Sequence, residues 1–506
     1  MAILNSIITW IMKKRIHQME LFMKYPVDVQ NDLLKQLIQS ASQTEWGKKY
    51  EYSSVDKLRV FKERVPISTY EDLFPYIERI MKGEQNILWS TKVTWFAKSS
   101  GTTNARSKFI PITQESLEDC HFKGGKDMLS IYVNNYPETQ MFDGKGLTIG
   151  GSHQINHLNP DSYYGDVSAV IMQNLPFWAQ IIRTPKLEIA LMDKWEDKIA
   201  KMVETTVDEN VTSLSGVPTW TIVLIQNILA VTGKKTILDV WPNLEVFVHG
   251  AVSFSPYRQL FKELIPSPDM RYMETYNASE GFFGIQDQTN SEELLLMLDY
   301  GIFYEFIPME NIDQEQPNTL TLEEVALGKN YALVISTNAG LWRYMIGDTV
   351  RFTSLNPFRI KISGRTKHFI NAFGEEVVVE NADIAITKAS KATGAIIADY
   401  TAGPIYVQNE SKGAHEWIIE FEKEPSDMDY FAEILDVTLR EINSDYDAKR
   451  YKNMALKAPL VHHAPKDTFY NWMKSRGKLG GQHKVPRLSN DRIYLDEILK
   501  MMKSNI

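Results

Sequence analysis

The sequence predicts an α/β protein, with a large N-terminal domain of β-sheets flanked by helices and a small α+β C-terminal domain. From about residue 91, short apolar runs typical of strands alternate with segments of helical periodicity. The chain of 506 residues is too long for one ordinary core, and its 43% hydrophobic and 24% charged residues are typical of globular proteins. We therefore expect an N-terminal domain at 1–363 and a C-terminal domain at 364–506.

The beginning of the chain has a mainly helical pattern, because apolar residues recur at helical spacing within 7–12 and 33–38. The first apolar stretch precedes its basic residues and is too short to cross a bilayer. We interpret it as an amphipathic docking helix, with weak contact between the N-terminus and a membrane surface as the alternative. Further on, Thr69 precedes an acidic pair, which indicates the start of a helix.

The remaining elements follow from apolar runs and periodicity. In the N-terminal domain, strands are predicted at 93–97, 147–149, 244–248 and 331–336, and helices at 195–207 and 220–231. In the C-terminal domain, strands are predicted at 404–407 and 417–421, and helices at 429–442 and 469–474.

Charge and cysteine content restrict the class of protein. The formal net charge of −9 argues against a general nucleic-acid binder, although a small anion such as ATP needs only a local positive spot. The single cysteine, Cys120, excludes an internal disulfide and agrees with a reducing compartment. We expect Cys120 to pack in the interior and the protein to be cytoplasmic.

A loop rich in serine, threonine and glycine follows the first predicted strand, and Lys108 lies shortly after it. Small hydroxyl residues around a glycine let main-chain N–H groups approach phosphate oxygens, and the lysine adds a positive charge. Taken alone, such a loop is more often a solvated connection than a phosphate site. Its residues are Ser99, Ser100, Gly101, Thr102 and Thr103.

Two further motifs carry an aromatic ring and two carboxylates. Tyr276 is suited to stacking on a purine, and the Glu280 carboxylate is a hard oxygen ligand of the kind that Mg²⁺ prefers. Asp348 follows a turn glycine, a setting suited to accepting hydrogen bonds from both ribose hydroxyls. The structural alternatives are a surface turn with an exposed glutamate and a strand–turn–strand with a capping aspartate.

Two basic turns lie in the predicted C-terminal domain, at Arg365 and at Lys484. A lysine in a glycine-flanked turn of a separate domain can swing onto a phosphate, and the alternative is a solvated surface charge. The histidine pairs at 153–157 and 462–463 do not predict a metal site. The first lies in a loop-like stretch, and adjacent side chains diverge on a helix or a strand.

In this order, the serine-rich loop, Tyr-x-x-Ser-Glu, Tyr-x-x-Gly-Asp, Gly-Arg and the late lysine resemble the motif series of the adenylate-forming superfamily. The chain more specifically resembles the acyl acid amido synthetases, an auxin-responsive family known from plants and also found in bacteria. Phe-Ile-Pro at 109–111, Leu-Trp-Arg-Tyr at 341–344 and the segment 482–487 support this, and the stretch 22–47 resembles bacterial members. The resemblance covers almost the whole chain. It implies a firefly-luciferase-like fold with a mobile C-terminal domain.

The resemblance implies roles in binding the triphosphate. The loop Ser99–Thr103 would hold the β- and γ-phosphates with help from Lys108, and Ser279 would touch phosphate. Glu280 would hold Mg²⁺. Lys484, from the small domain, would reach the α-phosphate and the acyl carboxylate.

The resemblance also implies a set of contacts to the adenosine part of ATP. Tyr276 would stack on the adenine, Asp348 would accept from the ribose hydroxyls, and Arg365 would lie near the same sugar. The adenine would be bordered by His249, Gly250 and Ala251. One departure concerns the arginine that the superfamily carries before Gly-Asp: this chain has Met345 there, and Arg343 is the candidate to replace it.

The resemblance implies ATP-dependent activation of a small carboxylic acid to an acyl-adenylate, with Mg²⁺ as cofactor, followed by amide formation with an amino acid. A carboxylate is already ionised at neutral pH, so the first step needs no general base. One alternative is an acyl-CoA ligase that shares the first step. The other is a catalytically inactive nucleotide-binding module.

Overall fold

The computed structural model describes residues 15–99, 108–150, 156–175, 177–192, 194–251, 254–312, 314–366, 369–370, 372, 375, 377–405, 413–443, 446–447, 450, 456–479, 484–489 and 491–504. Contacts divide the chain into two compact units, Met1–Ala251 with Pro268–Lys361, and Val252–Ser267 with Ile362–Ile506. The segment Val252–Ser267 packs with the second unit, although the sequence analysis assigned it to the first domain. The functional boundary between 363 and 364 stays a prediction.

Helices of the first unit begin at recognisable signals. The Thr69 side chain accepts from the main-chain N–H of Asp72, whose carboxylate accepts from Thr69 N in return, which is a capping box. The predicted helix start at Thr69 is therefore confirmed. Residues 15–24 are also helical. The labelled helices are α1 (Pro26–Ala41), α2 (Glu45–Lys49), α3 (Leu58–Arg64), α4 (Tyr70–Met81), α5 (Gln114–Ser116), α6 (Lys123–Asn135), α7 (Val167–Gln173), α8 (Phe177–Ile181), α9 (Leu187–Ala190), α10 (Trp195–Thr206) and α11 (Pro218–Thr232), with a π-helical turn at Leu117–Phe122 before α6.

Strands of the first unit are rich in buried apolar residues. They are β1 (Trp95–Ser99), β2 (Lys108–Ile112), β3 (Lys145–Thr148), β4 (Asn156–Asn159), β5 (Ser162–Gly165), β6 (Arg183–Thr184), β7 (Val211–Gly216), β8 (Val246–Gly250), β9 (Arg271–Ala278), β10 (Gly281–Ile285), β11 (Leu294–Leu296), β12 (Ile302–Pro308), β13 (Asn330–Thr337), β14 (Tyr344–Leu355) and β15 (Phe358–Arg365). The last residues of β15 already belong to the second unit.

The described strands form an eleven-stranded sheet, in the order β12-β13-β14-β15-β11-β10-β9-β8-β7-β3-β6, and a four-stranded sheet, β2-β1-β5-β4. Within the large sheet, β6, β3, β7, β8 and β9 are parallel neighbours. Parallel strands end at a common edge, and ligands of open α/β sheets usually bind at the carboxyl ends of the strands. This edge is therefore the first place to examine for a site.

The second unit has its own smaller sheet and core. Strand β18 (Ile396–Ile405) runs antiparallel to β19 (Ala414–Lys423), and β20 (Leu460–Ala464) runs parallel to β19. Trp417, Ile419, Phe431 and Leu435 are fully buried in its main apolar cluster. The elements are α12 (Arg258–Leu264), β16 (Phe369–Ile370), β17 (Val377–Val378), α13 (Val379–Thr393), β18 (Ile396–Ile405), β19 (Ala414–Lys423), α14 (Met428–Ile442), β20 (Leu460–Ala464), α15 (Thr468–Ser475) and α16 (Ile493–Ser504). The α/β class with a large first and a small α+β second part is confirmed.

Some local predictions are confirmed and others are not. Cys120 is buried, as predicted. The loop predicted at 153–157 is wrong for His157, which lies on β4 opposite Tyr163, with ring centroids 4.7 Å apart. His153 and the apolar stretch 2–12 lie outside the described residues. Within the described part, no helix combines the length and the apolar character that crossing a bilayer requires.

Candidate active site

The segment His249–Ala251 leaves the large sheet at the carboxyl end of β8. Gly250 lies opposite Thr275 in β9, and a Cβ at Gly250 would approach the Thr275 carbonyl oxygen to 2.4 Å. Ala251 has a φ of +75°, in the left-handed region that few side chains adopt. His249 is buried, with its ring 5.4 Å from that of Phe247. The close approach of the main chains therefore requires glycine at position 250.

Next to this segment, β9 and β10 form a hairpin whose two-residue turn is Ser279 and Glu280. Ser279 is buried and Glu280 is half-buried. Earlier in the hairpin, the Tyr276 ring lies 4.8 Å from the Phe283 ring, at an angle of 51°. The hairpin therefore places a hydroxyl, a carboxylate and an aromatic ring close together in the chain and near the end of β8.

Asp348 lies on β14 and is directly bonded to the β9–β10 hairpin. Its Oδ2 accepts a hydrogen bond of 2.8 Å from the Tyr276 hydroxyl, and the bond is buried. The preceding Gly347 has a φ of +93°, a conformation that glycine adopts without steric cost. The structure therefore brings together the two residues that the resemblance assigns to the adenine and the ribose.

Lys108 begins β2 and points its ammonium at two tyrosines. Its Nζ donates to the Tyr344 hydroxyl at 3.3 Å. It also lies 5.8 Å from the centroid of the Tyr344 ring and 5.5 Å from that of Tyr70. Throughout the described ranges, Lys108 forms no ion pair with a carboxylate. The positive charge is therefore held by neutral groups.

Glu280 is within electrostatic reach of the same two tyrosines. Burial, followed by the charges of Glu71 and Glu280, raises the pKa of Tyr70 to about 12 against a lowering bond from Phe109 N. Burial also holds the pKa of Tyr344 well above its usual value, with further contributions from Glu280 and Asp348. Lys108 thus donates to one buried phenol, that of Tyr344, which stays protonated at physiological pH.

Arg343, the candidate replacement for the superfamily arginine, is fully engaged elsewhere. Its Nε and Nη2 each donate to Glu305 at 2.9 Å, and Nη2 also donates to Thr319 Oγ1 at 3.0 Å. Its Nη1 donates to the carbonyls of Lys62 and Val65. Because the guanidinium is buried and its N–H groups are occupied by these bonds, Arg343 does not take the role of the arginine that Met345 replaces.

The remaining predicted site residues lie in the second unit or outside the described ranges. Arg365 is the exposed last residue of β15, and Lys484 is half-buried. Both belong to the second unit. Ser99 is the last residue of β1, whereas Ser100, Gly101, Thr102 and Thr103 lie outside the described residues.

The sequence did not indicate that Tyr70 lies beside Lys108, and Tyr344 was noted only as part of the Leu-Trp-Arg-Tyr and Tyr-x-x-Gly-Asp motifs. Tyr344 lies 236 residues from Lys108 in the chain, and Tyr70 comes from the start of α4. A tyrosine after a helix cap is unremarkable in a sequence. No local signal therefore marked these two residues.

The chemistry of the described donors fits a Mg²⁺ ion that is shared with a polyphosphate. Among the residues that the structure describes, no group of three His, Cys, Asp or Glu side chains is placed to hold a metal by itself. Mg²⁺ often takes one or two carboxylates and completes its shell with substrate phosphates and water. The single carboxylate of Glu280, in the turn of the hairpin that carries Tyr276, matches that mode. His462 is engaged differently, with its Nε2 2.7 Å from Glu416.

Curated relatives of the chain are named as amide-forming ligases. The 4-substituted benzoates-glutamate ligase GH3.12 of Arabidopsis thaliana is 23% identical, over 91% of this chain and 92% of the relative. The indole-3-acetic acid-amido synthetase GH3.4 of the same plant is also 23% identical, over 97% and 94%. The jasmonoyl–L-amino acid synthetase JAR4 of Nicotiana attenuata is 25% identical, over 66% and 68%.

Solved structures share the fold. A GH3.15 acyl acid amido synthetase has a TM-score of 0.76 at 19% identity, covering 94% of this chain and 93% of the other. A 2-hydroxyisobutyryl-CoA ligase in its postadenylation state has a TM-score of 0.60 at 12% identity, covering 94% and 91%. At these identities the likeness establishes the fold alone.

Three family models match successive parts of the chain. They are the GH3 family N-terminal domain at residues 15–270, the GH3 family central domain at 295–365 and the GH3 family C-terminal domain at 380–493. The first of them alone covers half of the sequence. The chain therefore belongs to the GH3 family.

Proposed function

We propose that this chain is an acyl acid–amino acid ligase that works through an acyl-adenylate, and that it is a bacterial member of its family. The observation that supports the activity most directly is the group formed by Lys108, Tyr344, Tyr276 and Asp348, with Glu280 in electrostatic reach. This group combines a cation, an oxygen ligand for a metal and an adenosine-binding pair near the carboxyl end of β8. The curated relatives named above are amide-forming ligases.

In the first step, an oxygen of the acyl carboxylate attacks the α-phosphorus of ATP. A bond forms between that oxygen and phosphorus, and the bond to pyrophosphate breaks. Lys108 and the loop Ser99–Thr103 offset charge on the departing pyrophosphate, together with Ser279, and Lys484 offsets charge on the α-phosphate. Glu280 would hold Mg²⁺, and the ion would supply positive charge that offsets the charge of the phosphates.

The adenosine is bound by the other residues of the proposed site. Tyr276 offers its ring to the adenine, which the segment His249–Ala251 borders, and Asp348 accepts from the ribose hydroxyls with Arg365 near the same sugar. In the second step, the ammonium group of an amino acid loses a proton to solvent water, and the resulting amine attacks the acyl carbon. The carbon–oxygen bond to AMP breaks as the carbon–nitrogen bond forms, AMP departs, and the nitrogen releases its second proton to water.

The acyl-CoA ligase reading stays as a second candidate, because the fold is shared with a 2-hydroxyisobutyryl-CoA ligase. Both candidates form the same acyl-adenylate, and they differ in the acceptor. Thiol attack would give a thioester in place of an amide. The two are therefore separated by the product and not by the first step.

The experiment has two stages. Exchange of labelled pyrophosphate into ATP is measured across a panel of aryl, indolyl and fatty carboxylic acids, with and without Mg²⁺. We expect Mg²⁺-dependent exchange with at least one acid, and tight ATP binding without exchange for any acid would favour the inactive module. An active acid is then incubated with ATP and either an amino acid mixture or coenzyme A. A mass equal to the amide supports our proposal, and a thioester alone would replace it with the acyl-CoA ligase.

A further inference from the structure

We propose that Tyr70 and Tyr344 are positioning residues that hold the Lys108 ammonium in a neutral cradle, so that its full charge is available to the phosphates of ATP. This inference rests on the proposed function of the site. The cradle is defined here as the Tyr344 hydroxyl and the Tyr70 ring. Neither tyrosine was assigned a role by the sequence motifs.

The first support is the geometry around the ammonium. The Tyr344 hydroxyl accepts from Lys108 Nζ at 3.3 Å, and the centroid of the Tyr70 ring lies 5.5 Å from Nζ. The distance of 5.8 Å from Nζ to the Tyr344 centroid places the ammonium beyond the hydroxyl, at the edge of that ring. A cation within about 6 Å of an aromatic face is attracted by the negative face of the ring. Two weak contacts, one from each tyrosine, therefore restrict a side chain that otherwise has many rotamers.

The second support is that the cradle also fixes the strand from which Lys108 projects. The Tyr70 hydroxyl accepts a hydrogen bond of 2.8 Å from the main-chain N–H of Phe109, the residue after Lys108. Tyr70 thus holds the main chain with its hydroxyl and faces the ammonium with its ring. One side chain therefore positions both ends of the lysine.

The third support is that the two tyrosines are joined through their main chains. Ser68 N donates to the Arg343 carbonyl at 2.9 Å, and Met345 N donates to the Ser68 carbonyl at 2.9 Å. Arg343 and Met345 flank Tyr344, and Ser68 lies two residues before Tyr70. Arg343 has a φ of +43°, and its buried guanidinium is bonded to Glu305. Main-chain hydrogen bonds therefore join the two segments that carry the cradle tyrosines.

The cradle holds the Lys108 ammonium without neutralising its charge. A lysine paired with a carboxylate would bring almost no net charge to a polyphosphate, whereas a lysine held by phenols keeps its charge. Across the residues that the structure describes, Lys108 forms no ion pair with a carboxylate. The ammonium therefore keeps its charge for the phosphates.

The test is a double-mutant cycle of Tyr344→Phe and Lys108→Met. ATP affinity is measured by calorimetry, and the KM for ATP and the kcat are measured by pyrophosphate exchange. We expect Tyr344→Phe to weaken ATP binding and raise the KM for ATP about tenfold, because a hydrogen bond to a charged group is lost. In the Lys108→Met background the same change has no further effect.

The control is Tyr331→Phe. Tyr331 is a buried residue of β13, the strand that pairs with β14, and its hydroxyl accepts a hydrogen bond from Ala326 N. We expect this variant to match the parent in ATP affinity, with a comparable change in thermal stability. Equal losses from Tyr344→Phe with and without Lys108 would overturn the cradle, as would no loss in either background. If the unmutated protein binds ATP but shows no pyrophosphate exchange, the proposed function is contradicted, and the cradle is still tested by the ATP affinities of the four proteins in the cycle. If the unmutated protein binds no ATP, both proposals are contradicted.

Discussion

Lys108 in the first unit is held at its ammonium, whereas the described anchors near Lys484 in the second unit act on the main chain that follows it. The Thr401 hydroxyl donates to the Pro486 carbonyl at 2.6 Å, and Ala402 N donates to the Arg487 carbonyl at 2.9 Å. The Arg487 side chain is bonded to Asp399 and Tyr257. The described contacts thus orient the Lys108 side chain itself, whereas near Lys484 they fix the main chain two and three residues further on. This suits a ground-state binding role for Lys108 and a transition-state role for Lys484.

The first prediction tests whether the bonds of Arg343, the residue before Tyr344, help to position the cradle. The variant is Glu305→Gln. This change leaves the Arg343 guanidinium buried without its carboxylate, and both side chains are 5% exposed or less. We expect the free energy of unfolding of the first unit to fall by about 3–5 kcal/mol. We also expect the KM for ATP to rise, because Tyr344 follows Arg343 directly. Urea denaturation and pyrophosphate exchange measure the two effects.

Asp287→Asn is the matched control for that experiment. Asp287 forms a two-bond ion pair with Arg359 in the same unit, at 2.9 and 2.7 Å, and neither residue belongs to the cradle. This control loses stability without a change in the KM for ATP. If both variants raised the KM equally, Arg343 would have only a structural role.

The second prediction separates the two lysines by kinetics. Lys484→Met is expected to lower the kcat of exchange about a hundredfold to a thousandfold with little change in the KM for ATP, as for loss of a group acting in the transition state. Lys108→Met is expected to act mainly on the KM. Lys466→Met, an exposed lysine of the second unit, serves as the control. A large KM effect of Lys484→Met would contradict the division of roles.

Particular residues show how far the sequence carried the argument. The α/β class followed from periodicity and the helix start at Thr69 from a local capping signal. The closeness of Tyr276 to Asp348 was implied by the family resemblance alone. The bonding of Arg343 to Glu305 and Thr319 did not follow from the sequence, since a buried arginine is identified by its distant partners. The cradle was missed for the same reason: its members meet only when α4, β2 and β14 come together.

The third prediction concerns pH, which distinguishes the two units. Burial raises the pKa of Glu420 in the second unit to about 7 from 4.5, against hydrogen bonds from Asp467 N and Phe469 N that lower it. Because the folded state holds this proton more tightly, the added stability is complete below about pH 4.5 and is lost as the pH rises through about 7. We expect a loss of up to about 3 kcal/mol, measured by urea denaturation of the second unit.

Glu420→Gln is expected to remove the loss of stability between about pH 4.5 and 7. The histidines of the second unit are the same in the variant and the unmutated protein, so their contribution cancels when the two free energies of unfolding are subtracted. The cradle tyrosines titrate far higher, at about 12 for Tyr70. ATP affinity should therefore not follow the Glu420 transition. An unchanged pH profile of stability in the variant would show that Glu420 does not titrate in this range.

The smallest effect is expected from Thr401→Val, which removes one anchor of the segment after Lys484 and keeps the shape of a side chain that is 2% exposed. The Pro486 carbonyl loses its partner, so stability should fall by about 1 kcal/mol. A loosened main chain after Lys484 should lower the kcat of exchange several-fold at constant KM, because only the aim of Lys484 changes. Thr438→Val is the control, since the Thr438 hydroxyl is buried without a hydrogen-bond partner in the described structure. If the kcat of Thr401→Val equalled that of this control, the hydrogen bond to Pro486 would play no part in aiming Lys484.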